Sequence, residues 1–197
     1  MYAYLNSGLS IYLNGQLYLS RRGLEDLLET ETGEDKIYPI IARKTPTVEF
    51  ALTHSDNYGE TTYSFVNGQY TNDGGTHLSA FKEGVLKAIN EFSGKSFKAD
   101  DVRDGMAGAI AIKLRDPIFE SQTKNKLGNT DVRGPVVAAV RDAIVDFLHK
   151  NKEVAEVVMD KVTRNEQMHR QIQAMKKKGQ AAAVKSKLRI PKLKDCK

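Results

Sequence analysis

The sequence predicts an α+β domain, a set of strands covered by two amphipathic helices and continued by a long basic helix and tail. Three observations predict it. Two Asn-Gly pairs, at 14–15 and 67–68, follow stretches in which apolar and polar residues alternate. Two longer stretches, beginning at Leu78 and Val136, instead repeat apolar residues at three- and four-residue steps. After residue 151 the apolar positions thin out while lysine and arginine accumulate. The expected organisation is a core over 1–150, a long helix over 151–180 and a basic linker over 181–197.

In chain order, "LSIYLNGQLYLS" reads as a hairpin, because Asn14-Gly15 readily adopts the positive φ angles of a type I′ turn. "RRGLEDLLETETGEDK" offers a short amphipathic helix around Leu24 to Leu28. Thr47 to His54 and Thr61 to Val66 read as paired strands closed by the turn at Asn67-Gly68. In "DGGTHLSAFKEGVLKAINEFSG", Leu78, Phe81, Val85, Ile89 and Phe92 share one helical face, with Thr76 placed to cap it and Gly94 to end it. A short helical piece at Ala99 to Asp104 precedes a strand, Ala107 to Leu114.

A second strong helix carries Val136, Val137, Val140, Ile144, Phe147 and Leu148, with Pro135 tolerated in its first turn and His149, Lys150 and Lys152 suiting its C-terminal dipole. The third helix has sparser apolar positions, Val154, Val158, Val162, Met168, Ile172 and Met175, as a partly exposed strut would. At "KKKGQAAAVKSK" glycine, small residues and lysines suggest a linker.

Composition narrows the classes. The 197 residues are 40% hydrophobic and 28% charged, ordinary for a globular protein. The longest apolar run, "MAGAIAI" at 106–112, falls well short of the roughly 18 residues that cross a bilayer. The N-terminus lacks the pattern of a secretion signal, and a lone Cys196 forms no internal disulfide, so a cytoplasmic protein is expected. Charge is unevenly placed: residues 161–197 hold twelve Lys/Arg against two acids, whereas 1–160 hold eighteen against twenty-three. Such a tail attracts polyanions without sequence preference, or simply keeps the chain in solution.

The loop "FESQTKNKLGNTDV" at 119–132 packs amides, hydroxyls and two lysines between an apolar strand and a helix. Extended, it would aim Lys124 and Lys126 the same way, able to meet a phosphate with Gln122 beside them. A solvated lysine pair in a connecting loop is the simpler reading of spacing alone, since no P-loop glycine pattern is present. Gly74 and Gly75 could expose backbone N–H groups to an anion, but read more simply as a tight strand-to-helix turn. The four histidines, His54, His77, His149 and His169, show no metal-ligand spacing. Asp100 and Asp101 sit at a helix start, where negative charge is expected. No self-contained catalytic centre is evident.

"FESQTKNKLGNTDVR" resembles the QTK loop of the B subunits of bacterial type IIA topoisomerases. The resemblance continues in "YLNSGLSI" at 4–11, "YSFVNGQYTNDGGTHLSAFKEG" at 63–84, "DVRDGMAGAIAIKLRDPIFE" at 101–120 and "KLKDC" at 192–196, over nearly the whole chain. The short region from Ser20 to Glu49 is more similar to topoisomerase IV B subunits, or gyrase relatives of them, than to long-insert gyrases.

The resemblance implies a ribosomal protein S5 domain 2-like transducer domain, the second half of the family's ATPase region. It implies that ATP and Mg²⁺ are held mainly by a separate, preceding GHKL domain. "MYAYLNSG" resembles the junction after that domain, so the chain is expected to begin at a domain boundary, with Met1 supplied as a start, and to stop where a metal-binding TOPRIM domain would follow. By resemblance Gln122 and Lys124 are the γ-phosphate sensors, Lys126 is a weaker phosphate contact, and Lys82 stands where relatives carry an arginine facing DNA. Implied partners are the GHKL and TOPRIM domains, the A-type subunit and double-stranded DNA, with no membrane. The piece alone is expected to be inactive and monomeric. A nucleic-acid-binding module using the basic tail, or the equivalent segment of another GHKL ATPase, are the competing readings.

Overall fold

The computed structural model describes residues 1–187, and for 179–187 the backbone alone. The elements are α1 (Tyr2–Leu5), β1 (Ile11–Leu13), β2 (Gln16–Tyr18), α2 (Leu24–Thr32), β3 (Ile41–Lys44), β4 (Val48–His54), β5 (Thr61–Val66) and β6 (Gln69–Tyr70). They are followed by α3 (Thr76–Ser93), α4 (Ala99–Arg103), β7 (Met106–Ile112), α5 (Arg133–Lys150) and α6 (Lys152–Lys187). β1 and β2 form the predicted hairpin, with Asn14 at φ 51° and Gly15 at φ 78°, but it stands apart from the main sheet.

The main sheet has the order β3-β4-β7-β5-β6. This corrects the expected pairing of β4 with β5. β7 lies between them, antiparallel to β4 and parallel to β5. The reason is visible in "MAGAIAI", which is apolar on both faces and therefore belongs at the centre of a sheet covered on both sides. Ile110 and Ile112 face the main core with Phe50, Leu52 and Val66, while Ala109 faces Leu24, Leu27 and Leu28 of α2. The small residues on the α2 side let that helix sit close.

On the other face α3 and α5 form one layer. Phe81, Val85 and Ile89 of α3 are buried as their spacing predicts, against Val136, Val140 and Ile144 of α5. The two helices approach most closely at Gly84, where an added Cβ would come within 2.8 Å of the Val140 Cβ. Gly108 of β7 similarly makes room for the Phe81 ring. Gly94 ends α3 in the left-handed conformation, but Thr76 does not cap it: Gly75 holds the N-cap position and no side chain caps the helix.

α6 runs unbroken to Lys187, seven residues past the end expected for the long helix at 180. Residues 180–183 (Gln-Ala-Ala-Ala) include three of the strongest helix formers, and their propensity outweighs Gly179. The rest of the basic tail, 188–197 with Cys196, lies outside the described residues.

The loop from β7 to α5 is anchored rather than free. Its arms pair as a small hairpin, Glu120 N–H donating to the Lys126 carbonyl (3.0 Å) and Gly128 N–H to that of Ile118 (2.8 Å). The Asn129 carboxamide oxygen accepts from Ile118 N–H at 2.6 Å. The second arm is also bonded to the start of α3, since Asp73 N–H donates to Asn125 O, Leu127 N–H to Gly74 O and Thr76 N–H to Leu127 O, each at 3.1 Å. Leu127 is fully buried at the junction. Gly75, at φ 130°, is the point of closest approach: an added Cβ would lie 2.5 Å from the Leu127 backbone nitrogen. Gly75→Ala is therefore expected to lower stability by about 1–3 kcal/mol in urea denaturation. It should also speed hydrogen exchange at the Leu127 amide.

Two histidines are sealed in the fold. His54 is held between the Tyr38 hydroxyl, 2.6 Å from Nδ1, and the Val102 carbonyl, 2.7 Å from Nε2, and burial pushes its pKa down to about 4. His77, whose Nε2 lies 3.2 Å from Thr71 Oγ1, is likewise pushed down by burial to about 4. Both are lowered, so the unfolded chain takes up protons first as pH falls. Their stabilisation is complete above about pH 6.5 and is lost towards pH 4, by up to about 3 kcal/mol each. Urea midpoints measured from pH 7 to 4 should fall over that window, and fall less steeply in His54→Gln.

Candidate functional site

The tip of the 118–128 hairpin, Ser121 to Lys124, is exposed and lies beyond its anchored base. Lys124 sits there in the left-handed conformation, φ 56°, with its N–H donating to the Ser121 carbonyl at 3.1 Å. The Ser121 and Thr123 hydroxyls bond each other at 2.7 Å, closing the tip. The loop is thus a tight turn, not the extended strand that would have aimed Lys124 and Lys126 in one direction.

The turn separates the two lysines. Lys126 pairs with Glu120 across the hairpin at 3.0 Å and is partly neutralised. Lys124 is exposed, and among the described residues it has no carboxylate within ion-pair distance. Gln122 is exposed at the tip and does not line the cleft that Lys124 borders. Lys82, on α3, is bound to Glu60 at 2.7 Å with its side chain only 20% exposed, and it too is away from that cleft. Of the four sequence candidates, the fold brings Lys124 alone to the cleft.

The cleft, of about 740 Å³, runs along one end of the sheet beside Lys124, with Tyr2, Asn67, Ile112 and Phe119 among its walls. Two further lysines reach it, Lys44 and Lys113, which sequence reading passed over. Lys44 lies 80 residues before Lys124 in the chain and Lys113 lies 11 before it. Strand pairing unites them: Lys44 is opposite Glu49 in the β3–β4 register, and Lys113 N–H donates to Thr47 O at 2.8 Å just past β7.

Their charges differ in availability. Lys44 is engaged by Glu49 at 3.0 Å, and Glu49 also accepts the Leu24 N–H at 3.0 Å. Lys113, like Lys124, is exposed with no ion pair among the described residues. Two available ammonium groups on one open cleft favour an anion. The start of α3 offers no free first N–H to such an anion, since that of Thr76 is already given to Leu127. The arrangement can contact a phosphate presented from outside, and among the described residues it does not enclose one. Among those residues no group of three His, Cys, Asp or Glu side chains could hold a metal ion, and no helix is long and apolar enough to cross a membrane.

The family model for DNA gyrase B matches residues 18–179. The chain is 47% identical over its full length to the B subunit of DNA topoisomerase 4 from Borreliella burgdorferi, of which it spans 33%. It is 34% identical to the B subunit of DNA gyrase from Helicobacter pylori, aligning 81% of its own length with 23% of that protein. The chain thus corresponds to a third or less of these curated relatives.

Among solved structures, the 43K ATPase domain of Thermus thermophilus gyrase B, in complex with an aminocoumarin, superposes with a TM-score of 0.76 at 26% identity, covering 89% of this chain and 53% of that one. That likeness corrects the named fold. The α+β layers are those of part of a structure described as a gyrase B ATPase domain, which replaces the expected S5 domain 2-like transducer with a basic tail. Strand and helix periodicity reveals layers, and is silent on which larger structure they resemble. With the family model matching most of its length, the chain belongs to the DNA gyrase B family, the B subunits of type IIA topoisomerases.

Proposed function

We propose that this chain works within the ATPase region of a type II DNA topoisomerase B subunit, an isomerase, by presenting Lys124 to the γ-phosphate of a bound ATP. The observation that carries the reading is an exposed Lys124 ammonium, without an ion pair among the described residues, on a hairpin tip whose base is bonded to the start of α3. Such a group adds a charge-assisted hydrogen bond that exists before hydrolysis and vanishes after it, so the position of the hairpin follows the nucleotide state. Gln122 supplies a second hydrogen bond from the tip, and Lys126 braces the hairpin through Glu120 with a weaker pull on the phosphate.

The remaining contacts to ATP and Mg²⁺, and the group that activates water, come from residues outside this chain. Support for this is that the chain covers about half of the ATPase-domain structure it resembles, 53%, and that its cleft is open. The body over 1–150 receives the signal, and α6 carries it towards a TOPRIM domain, the A-type subunit and double-stranded DNA. Lys82, despite its pairing with Glu60, contributes positive charge facing that DNA.

In the whole B subunit assembled with its A-type partner, Lys124→Ala should lower nucleotide-driven strand passage about 10- to 100-fold, the loss of one charge-assisted hydrogen bond, with thermal stability unchanged. Unaltered ATP hydrolysis and relaxation in that variant would refute the role. The isolated chain should neither hydrolyse ATP nor bind it tightly, as seen by calorimetry.

A further inference from the structure

α6 is attached to the body by two different kinds of contact. Near its start, Ala155, Val158 and Val162 are buried in the main core. Overlapping and extending this attachment, one face carries Lys161, Asn165 and His169 at four-residue steps, two of them buried polar residues at 7% and 3% exposure. Beyond Arg170 every described residue up to 178 is exposed. The helix therefore leaves the body at a polar seam.

The partners of that seam lie mainly on α4 and the turn after it. The Asn165 amide donates to the carbonyls of Asp101 (3.0 Å) and Asp104 (2.8 Å), which are among the carbonyls left open at the end of a short helix. The His169 ring lies between two carboxylates, Nδ1 2.7 Å from Asp101 Oδ1 and Nε2 3.4 Å from Asp104 Oδ2. Asp101 is itself buried, 2% exposed, and its other oxygen accepts Lys98 N–H at the start of α4. Lys161 reaches towards Asp56 at 3.8 Å and packs its stem by Gly105. α4 is only five residues long, so it depends on neighbours such as α6 for partners.

We infer that Asn165 and His169 are positioning residues that set the direction of α6, joining it to α4 so that a shift of the body is passed to the far end of the helix. Apolar packing is non-directional and tolerates rotation of a helix about its axis, whereas hydrogen bonds to fixed carbonyls and carboxylates do not. The buried Asp101 carboxylate enforces the arrangement, since a charge left alone in the interior is strongly disfavoured.

This inference rests on the relay proposed above, and its test separates the two. Asn165→Asp places an acceptor against two carbonyls, and His169→Ala removes both carboxylate contacts. In this chain each should raise amide hydrogen exchange across 163–172 about tenfold, as expected for losing one or two buried hydrogen bonds, while β7 and α3 keep their protection. In the whole B subunit with its A-type partner, ATP hydrolysed per strand passage should rise at least about fivefold with hydrolysis itself changed less than about twofold. His169→Gln, which retains one donor, should restore most of the coupling and serves where the harsher variants do not fold. Unchanged exchange at 163–172, or hydrolysis and strand passage falling together, overturns the role of the seam. The same assay on Lys124→Ala reports separately on the phosphate contact, so failure there with an intact seam effect indicts the γ-phosphate reading alone.

Discussion

Between Gly75 and Leu127 two backbones approach so closely that a single methyl group on residue 75 would not fit. That approach, possible only without a Cβ at this position, welds the loop after β7 to the segment that enters α3, Asp73 to Thr76, through three backbone hydrogen bonds. The hairpin tip is consequently exposed yet rigidly based. The hairpin that carries Lys124 is thereby joined to the start of α3 by these bonds. α3 in turn meets α5 at the close contact of Gly84 with Val140, and α5 continues into α6 with only Asn151 between them.

Electrostatics on this scaffold is selective. Several lysines and arginines near the sheet end and the helix layer are matched: Lys44 by Glu49, Lys82 by Glu60, Lys126 by Glu120 and Arg133 by Glu83. Glu83 is held below the usual carboxylate range by its hydrogen bonds from Lys87 and Arg133. Surface pairs of this kind add little stability, commonly under about 1 kcal/mol. Their effect is to cancel charge wherever it has a partner, so that the amines of Lys113 and Lys124 stand out along the cleft. The seam at α6 applies the opposite rule, since there the polar groups are buried and each must find a fixed partner.

Several features were legible in the residues alone. The turn at Asn14-Gly15 announced itself through residue types that tolerate positive φ, and the buried face of α3 through its spacing. The QTK loop stood out by its composition and its resemblance. Other features were not. β3 is a four-residue edge strand with three exposed positions, too short and too polar to show alternation. The placement of β7 between β4 and β5 depends on which strands meet across long stretches of chain. Thr76 had the right chemistry for a cap, but the backbone of Leu127 occupies that end of the helix. Asn165 and His169 looked like ordinary polar positions on an exposed strut until α4 was brought against them.

By itself the sequence determined where the chain turns, which helical faces are apolar, and that Lys124 lies in a loop of distinctive chemistry, because these depend on residues within a few positions of one another. Tertiary structure alone decided which lysines keep a free charge, which cleft they share, and how α6 is gripped. Each of those outcomes depends on pairs such as Lys44 with Glu49, Gly75 with Leu127 and Asp101 with His169. Even where such partners are near in the chain, only the folded backbone aligns them, and neither electrostatic pairing nor steric fit leaves a periodic trace in the order of residues.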